Sequence, residues 1–206
     1  MNECALDGER EIRRLDVETP LGTVHLAGFA QKPDHRSVIF RILSEYVGSP
    51  VTAADVVESR ENTRPRFPKL DFDVNWTHSD GYCVLAYGAR GTREKLRVGV
   101  DLERHSPKRL HLAERFFSGE EAALVGSLEG ARAEAEFFKL WTRKEAFYKC
   151  AGGEFFEGAL RRNMLKNPLE APGGKVYFVD LEAAEVGAPM AASLCVAVKT
   201  PALSPG

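Results

Sequence analysis

Short β-prone segments recur along the chain and are separated by turn residues. The first two, Ile12–Val17 and Thr23–Phe29, flank Pro20-Leu21-Gly22, and this arrangement predicts a hairpin. A second hairpin is predicted around Asp80-Gly81, because Asp-Gly between two apolar runs is typical of a tight β-turn. Its strands are Phe72–Ser79 and Tyr82–Tyr87, and further strands are predicted over Val98–Glu103, Lys175–Leu181 and Ala191–Lys199. Turns are predicted at Glu170–Gly174 and Gly187–Pro189.

Two other stretches show the spacing of amphipathic helices. The first covers Val38–Val47, with Asp34 or Ser37 as its N-cap and Gly48 as its stop signal. The second runs from about residue 131 to residue 151 and ends at a pair of glycines. One broad face of this second helix is apolar and consists of Phe137, Phe138, Leu140, Trp141, Phe147 and Tyr148.

Glu145 and Lys149 lie four residues apart at the edge of that apolar face. Two interpretations fit this placement. The pair is either an ordinary helix ion pair, worth about 0.3–0.5 kcal/mol, or the half-buried rim of a functional site.

The order of the elements indicates a duplication. Each half of the chain has a helix followed later by a hairpin, although the two halves share no recognisable sequence repeat. We therefore expect an α+β fold of two pseudo-symmetric halves, each a small antiparallel sheet packed with a long helix. The predicted domains are residues 1–95 and 96–206.

Composition excludes several classes of protein. The 206 residues are 44% hydrophobic and 28% charged, as in ordinary globular proteins, and the net charge of −2 argues against a general nucleic-acid binder. Four widely spaced cysteines without a CxxC pair predict neither a zinc site nor a disulfide framework. Because the sequence shows neither a signal-peptide pattern nor an apolar run of about 20 residues, we expect a cytoplasmic protein without a membrane segment.

Charged residues suggest chemistry at three places. Asp101 and Glu103 share one face of a predicted strand, where two carboxylates repel each other unless a cation such as Mg²⁺ lies between them. A solvated strand edge would have the same sequence. The start of the first helix, with Arg36 and Ser37, offers backbone N–H groups and a guanidinium to a phosphate, although a capped helix with a solvated arginine fits equally well.

The third place is the segment 104–115, which carries six basic or histidine side chains and a single acid, Glu114. The six are Arg104, His105, Lys108, Arg109, His111 and Arg115. Such a segment suits the docking of an acidic partner. A solvated surface is the alternative.

Three motifs, in this order and spacing, resemble those of the 4′-phosphopantetheinyl transferases of the surfactin-synthetase-activating type. They are Asn75-Trp76-Thr77-His78-Ser79, Gly99-Val100-Asp101-Leu102-Glu103 and Trp141-Thr142-Arg143-Lys144-Glu145-Ala146-Phe147-Tyr148-Lys149. Together with weaker matches they span about residues 32–152. Thr77 departs from the serine that is usual before the histidine, but it keeps the hydroxyl group.

The resemblance implies an enzyme that transfers the 4′-phosphopantetheine arm of coenzyme A to a serine of a carrier protein and releases 3′,5′-ADP. It implies two α+β halves with coenzyme A in the cleft between them, and a carrier docked on the basic segment 104–115. The two-half layout itself suggests that a monomer completes the site. The Mg²⁺ ligands that the resemblance implies are Asp101, Glu103 and Glu145. The coenzyme A contacts it implies are Arg36, Ser37, Arg64, Thr77, His78, Lys144 and Lys149.

The same resemblance makes Glu145, Lys149 and His78 the catalytic residues. For the proton of the attacking serine, the sequence leaves Glu145 and a metal-bound water open as acceptor. Two other functions remain as alternatives. One is a non-catalytic module of the same fold that binds coenzyme A or carrier protein, and the other is an Mg²⁺-dependent phosphoesterase.

Overall fold

The computed structural model describes residues 12–31, 33–57, 65–90, 96–151, 160–171 and 174–199. Within these ranges, eight strands form two four-stranded antiparallel sheets, and four α-helices accompany them. The strands are β1 (Arg13–Thr19), β2 (Gly22–Ala30), β3 (Phe72–Ser79), β4 (Tyr82–Ala89), β5 (Arg97–Arg104), β6 (Leu169–Ala171), β7 (Gly174–Glu182) and β8 (Ala192–Lys199). The helices are α1 (His35–Val47), α2 (Leu112–Phe116), α3 (Gly119–Gly126) and α4 (Gly130–Ala151). The predicted α+β class is confirmed.

The two sheets repeat one topological unit. The strand orders are β1-β2-β4-β3 and β5-β8-β7-β6. In the first sheet β2 is followed by α1 and the β3–β4 hairpin, and the last strand of this hairpin pairs with β2. In the second sheet β5 is followed by α4 and the β7–β8 hairpin, and again the last strand pairs with the first. The predicted pseudo-duplication is therefore confirmed.

The strands alternate between two environments because successive side chains point to opposite faces of a sheet. Val24 and Leu26 of β2 pack into a core that also contains Val100 of β5 and Val196 of β8, and this core joins the two sheets. On the other face of the first sheet, Ala27 and Phe29 pack with Ile39, Ile42 and Leu43 of α1. A third cluster packs Phe137, Phe138 and Phe147 of α4 on the second sheet. Each sheet thus has a helix outside and the partner sheet inside.

The predicted turns and caps form where the sequence placed them. Asp34 is the N-cap of α1, where its side chain accepts a hydrogen bond from the Ser37 N–H, and Gly48 ends the helix with φ 75°. Asp80 and Gly81 both have positive φ, 47° and 78°, as the tight turn between β3 and β4 requires. The prediction of a turn at residues 170–174 was partly wrong, because β6 pairs with β7 there. A strand of three residues is too short to show a periodic pattern.

Helix α4 lies directly against β5. A Cβ atom on Gly99 would be 2.1 Å from the Ala146 carbonyl oxygen and 2.6 Å from the Cys150 nitrogen. Only a glycine permits backbone approach this close. This contact brings the last two turns of α4 over the carboxylates of β5.

Within the ranges that the structure describes, no helix is long and apolar enough to cross a membrane.

Candidate active site

The two sheets meet along a line where β3 and β5, an edge strand of each sheet, run side by side. Side-chain oxygens of β3 accept hydrogen bonds from backbone N–H groups of β5. The pairs are Asp73 with Val98 (2.7 Å), Asn75 with Val100 (2.9 Å) and Ser79 with Arg104 (3.2 Å). The partners are 25 residues apart in every pair, so the two strands run in the same direction. We call this line of contacts the seam.

Lys149 of α4 reaches the seam and contacts both halves of the molecule. Its Nζ donates to Asp101 Oδ1 (2.7 Å), Thr77 Oγ1 (3.1 Å) and the Val100 carbonyl oxygen (3.2 Å). The Thr77 hydroxyl in turn donates to Asp101 Oδ1 at 3.2 Å. Because Lys149 bonds to Asp101, the simple ion pair with Glu145 is not the arrangement found. About a quarter of the Lys149 side chain is exposed.

Asp101 is buried, which rules out the alternative of a solvated strand edge. In the part of the chain that the structure describes, its Oδ2 atom is buried without a hydrogen-bond partner. A buried carboxylate oxygen in this condition costs folding free energy. It is the kind of exception that a bound cation explains.

The negative charge of Asp101 affects the pKa values of Glu103 and Glu145. Burial raises the pKa of Glu145, and repulsion from Asp101 raises it further. The pKa of Glu103 is raised by the same two causes in the same order, against the opposing effect of Arg109. Arg109 donates to Glu103 Oε2 at 3.0 Å. Three carboxylates therefore lie in one electrostatic neighbourhood, with Lys149 beside them.

The described residues contain no group of three His, Cys, Asp or Glu side chains gathered closely enough to define a metal site by geometry. The donor chemistry nevertheless fits a hard dication, because such ions take carboxylate oxygens as ligands. The orphaned oxygen of Asp101 and the mutual repulsion of the carboxylates are the two features that such an ion would relieve.

The remaining predicted residues lie in different surroundings. His78 is exposed near the end of β3, on the face opposite to its neighbour Thr77. Arg36 and Ser37 are exposed in the first turn of α1. Arg64 lies outside the described residues.

Lys144 is not part of the cluster formed by Asp101, Glu103, Glu145 and Lys149. Its side chain is 1% exposed and pairs with the fully buried Glu121 of α3 at 2.7 Å. It also donates to the Arg162 carbonyl oxygen at 2.6 Å. This placement gives no support to the predicted contact between Lys144 and coenzyme A. It assigns the lysine to holding α3 against α4.

Sequence reasoning missed the seam residues Asp73 and Asn75 and the buried acid Glu121. The signal for the first two was present, since polar residues alternate with Phe72, Val74 and Trp76 along β3. Such alternation with large apolar residues indicates a polar face with a partner. One signal distinguished Glu121 from its exposed neighbour Glu120: it lies three residues after Ser118, the spacing of a capping box, which the structure contains.

The fold and the cluster together define a two-half α+β protein with an acidic, lysine-bearing site where the halves meet. Residues 97–184 match the family model of the 4′-phosphopantetheinyl transferase superfamily. The match over residues 97–184 confirms the resemblance predicted from the motifs.

Curated relatives agree with this assignment. The chain is 34% identical over 116 residues to 4′-phosphopantetheinyl transferase psf-1 of Bacillus pumilus, an alignment that covers 56% of this chain and 47% of the relative. It is 29% identical over 130 residues to 4′-phosphopantetheinyl transferase Sfp of Bacillus subtilis (60% and 55%). It is 40% identical over 80 residues to the putative 4′-phosphopantetheinyl transferase slr0495 of Synechocystis (38% and 30%). The chain thus spans about half the length of these relatives, or less.

Proposed function

We propose that the protein transfers the 4′-phosphopantetheine arm of coenzyme A to a serine of a carrier protein and releases 3′,5′-ADP. The observation that carries this proposal is the cluster at the seam, where Lys149 and Asp101 of the second half meet Thr77 of the first. We also propose that residues 1–95 and 96–206 are the two domains and that a single chain completes the site.

Asp101, Glu103 and Glu145 would hold Mg²⁺ in this proposal, and the ion would neutralise charge on the coenzyme A pyrophosphate. Lys149 places its positive charge beside the pyrophosphate from a fixed position, because its three N–H donors are already bonded to three oxygens of the seam. His78 and Thr77 contribute further donors. Arg36 and Ser37 bind the phosphate at the other end of the nucleotide, where the first turn of α1 presents its N–H groups.

The serine oxygen forms a bond to the phosphorus that carries the pantetheine arm, and the bond from that phosphorus to the ADP oxygen breaks. The proton of the serine goes to the carboxylate of Glu145. Positioning and charge neutralisation supply most of the remaining acceleration, as in other phosphoryl transfers.

The carrier protein docks on the basic segment 104–115 in this proposal. Lys108, His111 and Arg115 are exposed there and suit an acidic partner. A surface cavity of about 490 Å³ lies beside this segment and is lined by Glu103, Arg109 and Ser79, among others. A serine presented by a docked carrier would enter next to Glu103.

A carrier assay tests the proposal directly. The protein is incubated with coenzyme A, Mg²⁺ and a panel of apo carrier proteins of the fatty-acid, polyketide and peptide-synthetase types. We expect a mass gain of about 340 Da on at least one carrier, the mass of the covalently attached arm. Failure of every carrier to gain mass would contradict the proposal. Binding of coenzyme A without transfer would favour the non-catalytic module, and hydrolysis of coenzyme A without a carrier would favour the phosphoesterase.

Substitution of Lys149 tests the role of the seam cluster in the same assay. Lys149→Ala removes a fixed positive charge beside the pyrophosphate, so the rate of transfer should fall about a hundredfold or more. Lys139→Ala is the matched control, because Lys139 lies on the same helix, is 39% exposed and pairs only locally with Glu136. The control should transfer at the parent rate. Equal rates for the two variants would remove Lys149 from the proposed machinery.

A further inference from the structure

One residue at the seam, Val100, connects Asn75 to the lysine of the cluster. The Val100 N–H donates to Asn75 Oδ1 at 2.9 Å, and the Val100 carbonyl oxygen accepts from Lys149 Nζ at 3.2 Å. The next residue, Asp101, accepts from the same amine. Asn75 is 4% exposed, so it is buried away from any substrate. Its connection to the cluster runs through Val100.

Asn75 also sets which residues of the two strands face each other. Asn75 and Thr77 lie two positions apart on one face of β3. With Val100 held opposite Asn75, Thr77 comes within 3.2 Å of Asp101 Oδ1. A slip of the seam by one pair would move β5 by two residues, about 6.5 Å, and would separate these groups.

An amide suits this position better than a carboxylate. Asn75 Oδ1 accepts the hydrogen bond without adding negative charge near the buried carboxylate of Asp101. At the adjacent pair the acceptor is a carboxylate, Asp73, and the guanidinium of Arg90 lies 3.9 Å from it. The uncharged acceptor, Asn75, is thus the one nearer to Asp101.

We propose that Asn75 is a positioning residue for the transfer reaction: by holding the Val100 peptide, it places Lys149 and Asp101 against Thr77. This inference rests on the transfer activity proposed above. Removing the acceptor leaves the Val100 N–H without its side-chain partner and frees this part of β5 to shift. A misplacement of about 1 Å in a catalytic constellation can cost about a hundredfold in rate.

The kinetic test compares Asn75→Ala with Asp73→Ala. Both substitutions remove one acceptor from the seam, but Asp73 holds Val98, two residues away from the peptide that binds Lys149. We expect Asn75→Ala to lower kcat by about ten- to a hundredfold with little change in the KM for coenzyme A. Asp73→Ala should lower the free energy of unfolding as much or more, while kcat stays within about threefold of the parent value.

Asn75→Asp restores an acceptor oxygen but adds a negative charge near Asp101, so it should recover part, but not all, of the kcat lost in Asn75→Ala. The proposal is overturned if Asn75→Ala keeps the parent kcat, or if both alanine variants lose kcat by the same factor.

A second measurement does not depend on activity. The rate at which an acylating reagent modifies Lys149, measured by mass spectrometry against Lys139, reports how well its partners hold the amine. Asn75→Ala should raise this ratio by about threefold or more, because misaligned partners leave the amine freer to react, and Asp73→Ala should leave it unchanged. An unchanged ratio in Asn75→Ala overturns the positioning role. A parent protein that modifies no carrier overturns the proposed function alone.

Discussion

Two lysines of α4, five residues apart in one motif, occupy opposite environments. The Lys149 amine is partly exposed and bonds to three oxygens at the seam. The Lys144 amine is buried with Glu121 and touches no residue of the cluster that the structure describes. Residue type and spacing alone could not separate the two, because the difference comes from what α3 places beside the helix.

Replacement of Lys144 should therefore act on stability. Lys144→Met leaves Glu121 as a buried charge without its cation, which typically costs about 3–5 kcal/mol of unfolding free energy. Urea denaturation measures this loss. The double variant Lys144→Met/Glu121→Met should recover only part of it, since Glu121 also accepts from the N–H groups of Ser118 and Met164. A Lys144→Met protein of parent stability with a raised KM for coenzyme A would instead assign Lys144 to the ligand.

Glu145 should lower stability at neutral pH. The pKa of Glu145 is raised in the folded state. As pH rises through the ordinary pKa range of a glutamate, this carboxyl group therefore ionises more readily in the unfolded state, which lowers the free energy of unfolding. Glu145→Gln removes this cost and should raise the free energy of unfolding by about 0.5–1 kcal/mol at pH 7.

The gain in Glu145→Gln should shrink as pH falls and vanish below about pH 4, where the glutamate is protonated in both states. Urea unfolding between pH 4 and pH 8 measures it. A gain that does not depend on pH would mean that the ionisation of Glu145 is not its source.

At the scale of elements, the close contact between α4 and β5 sets the height of the helix above the carboxylates. Gly99→Ala would place a methyl group against backbone atoms of Ala146 and Cys150, which cannot move as a side chain can. Overpacking of this kind costs about 1–3 kcal/mol, and displacement of α4 should also reduce transfer.

Gly126→Ala is the control for Gly99→Ala. A Cβ at Gly126, the last residue of α3, meets no atom within 4 Å. Thermal unfolding should show it within about 0.5 kcal/mol of the parent or slightly more stable. If Gly99→Ala were equally harmless, the close approach would not be fixing the position of α4.

Most elements could be predicted because their signals are local. The Asp80-Gly81 turn, the Asp34 cap and the apolar face of α4 depend on neighbours in the chain, and all three formed as expected. The alternation along β3 indicated a polar face, but the partner strand of the seam could not be predicted, since its donors are backbone N–H groups and every residue except proline carries one. The acid–lysine cluster was foreseen only through the resemblance, because the motifs carrying Thr77, Asp101 and Lys149 are far apart in the sequence.

At the scale of the whole molecule, the inner core belongs to both halves. Val84 and Ala86 of β4 share one cluster with Leu102 and Val196 of the second sheet. Neither half can bury these side chains alone, so the protein should unfold as one cooperative unit.

The two tryptophans allow a direct test, since Trp76 lies in the first half and Trp141 in the second. The variants Trp76→Phe and Trp141→Phe each leave one fluorescent probe. The urea unfolding curve of each variant gives its own unfolding free energy and m-value. The two m-values should be equal, because each probe should report the unfolding of the whole molecule. A smaller m-value for one probe would show that its half unfolds separately.

The seam also bears on solubility. A strand at the edge of a sheet presents unpaired N–H groups that can recruit a strand of another molecule and begin aggregation. Three N–H groups of β5 already donate to side chains of β3, those of Asp73, Asn75 and Ser79. These groups are therefore not available to a strand from a neighbouring molecule. The contacts that align the two halves thus also protect the edge of β5 from pairing with strands of other molecules.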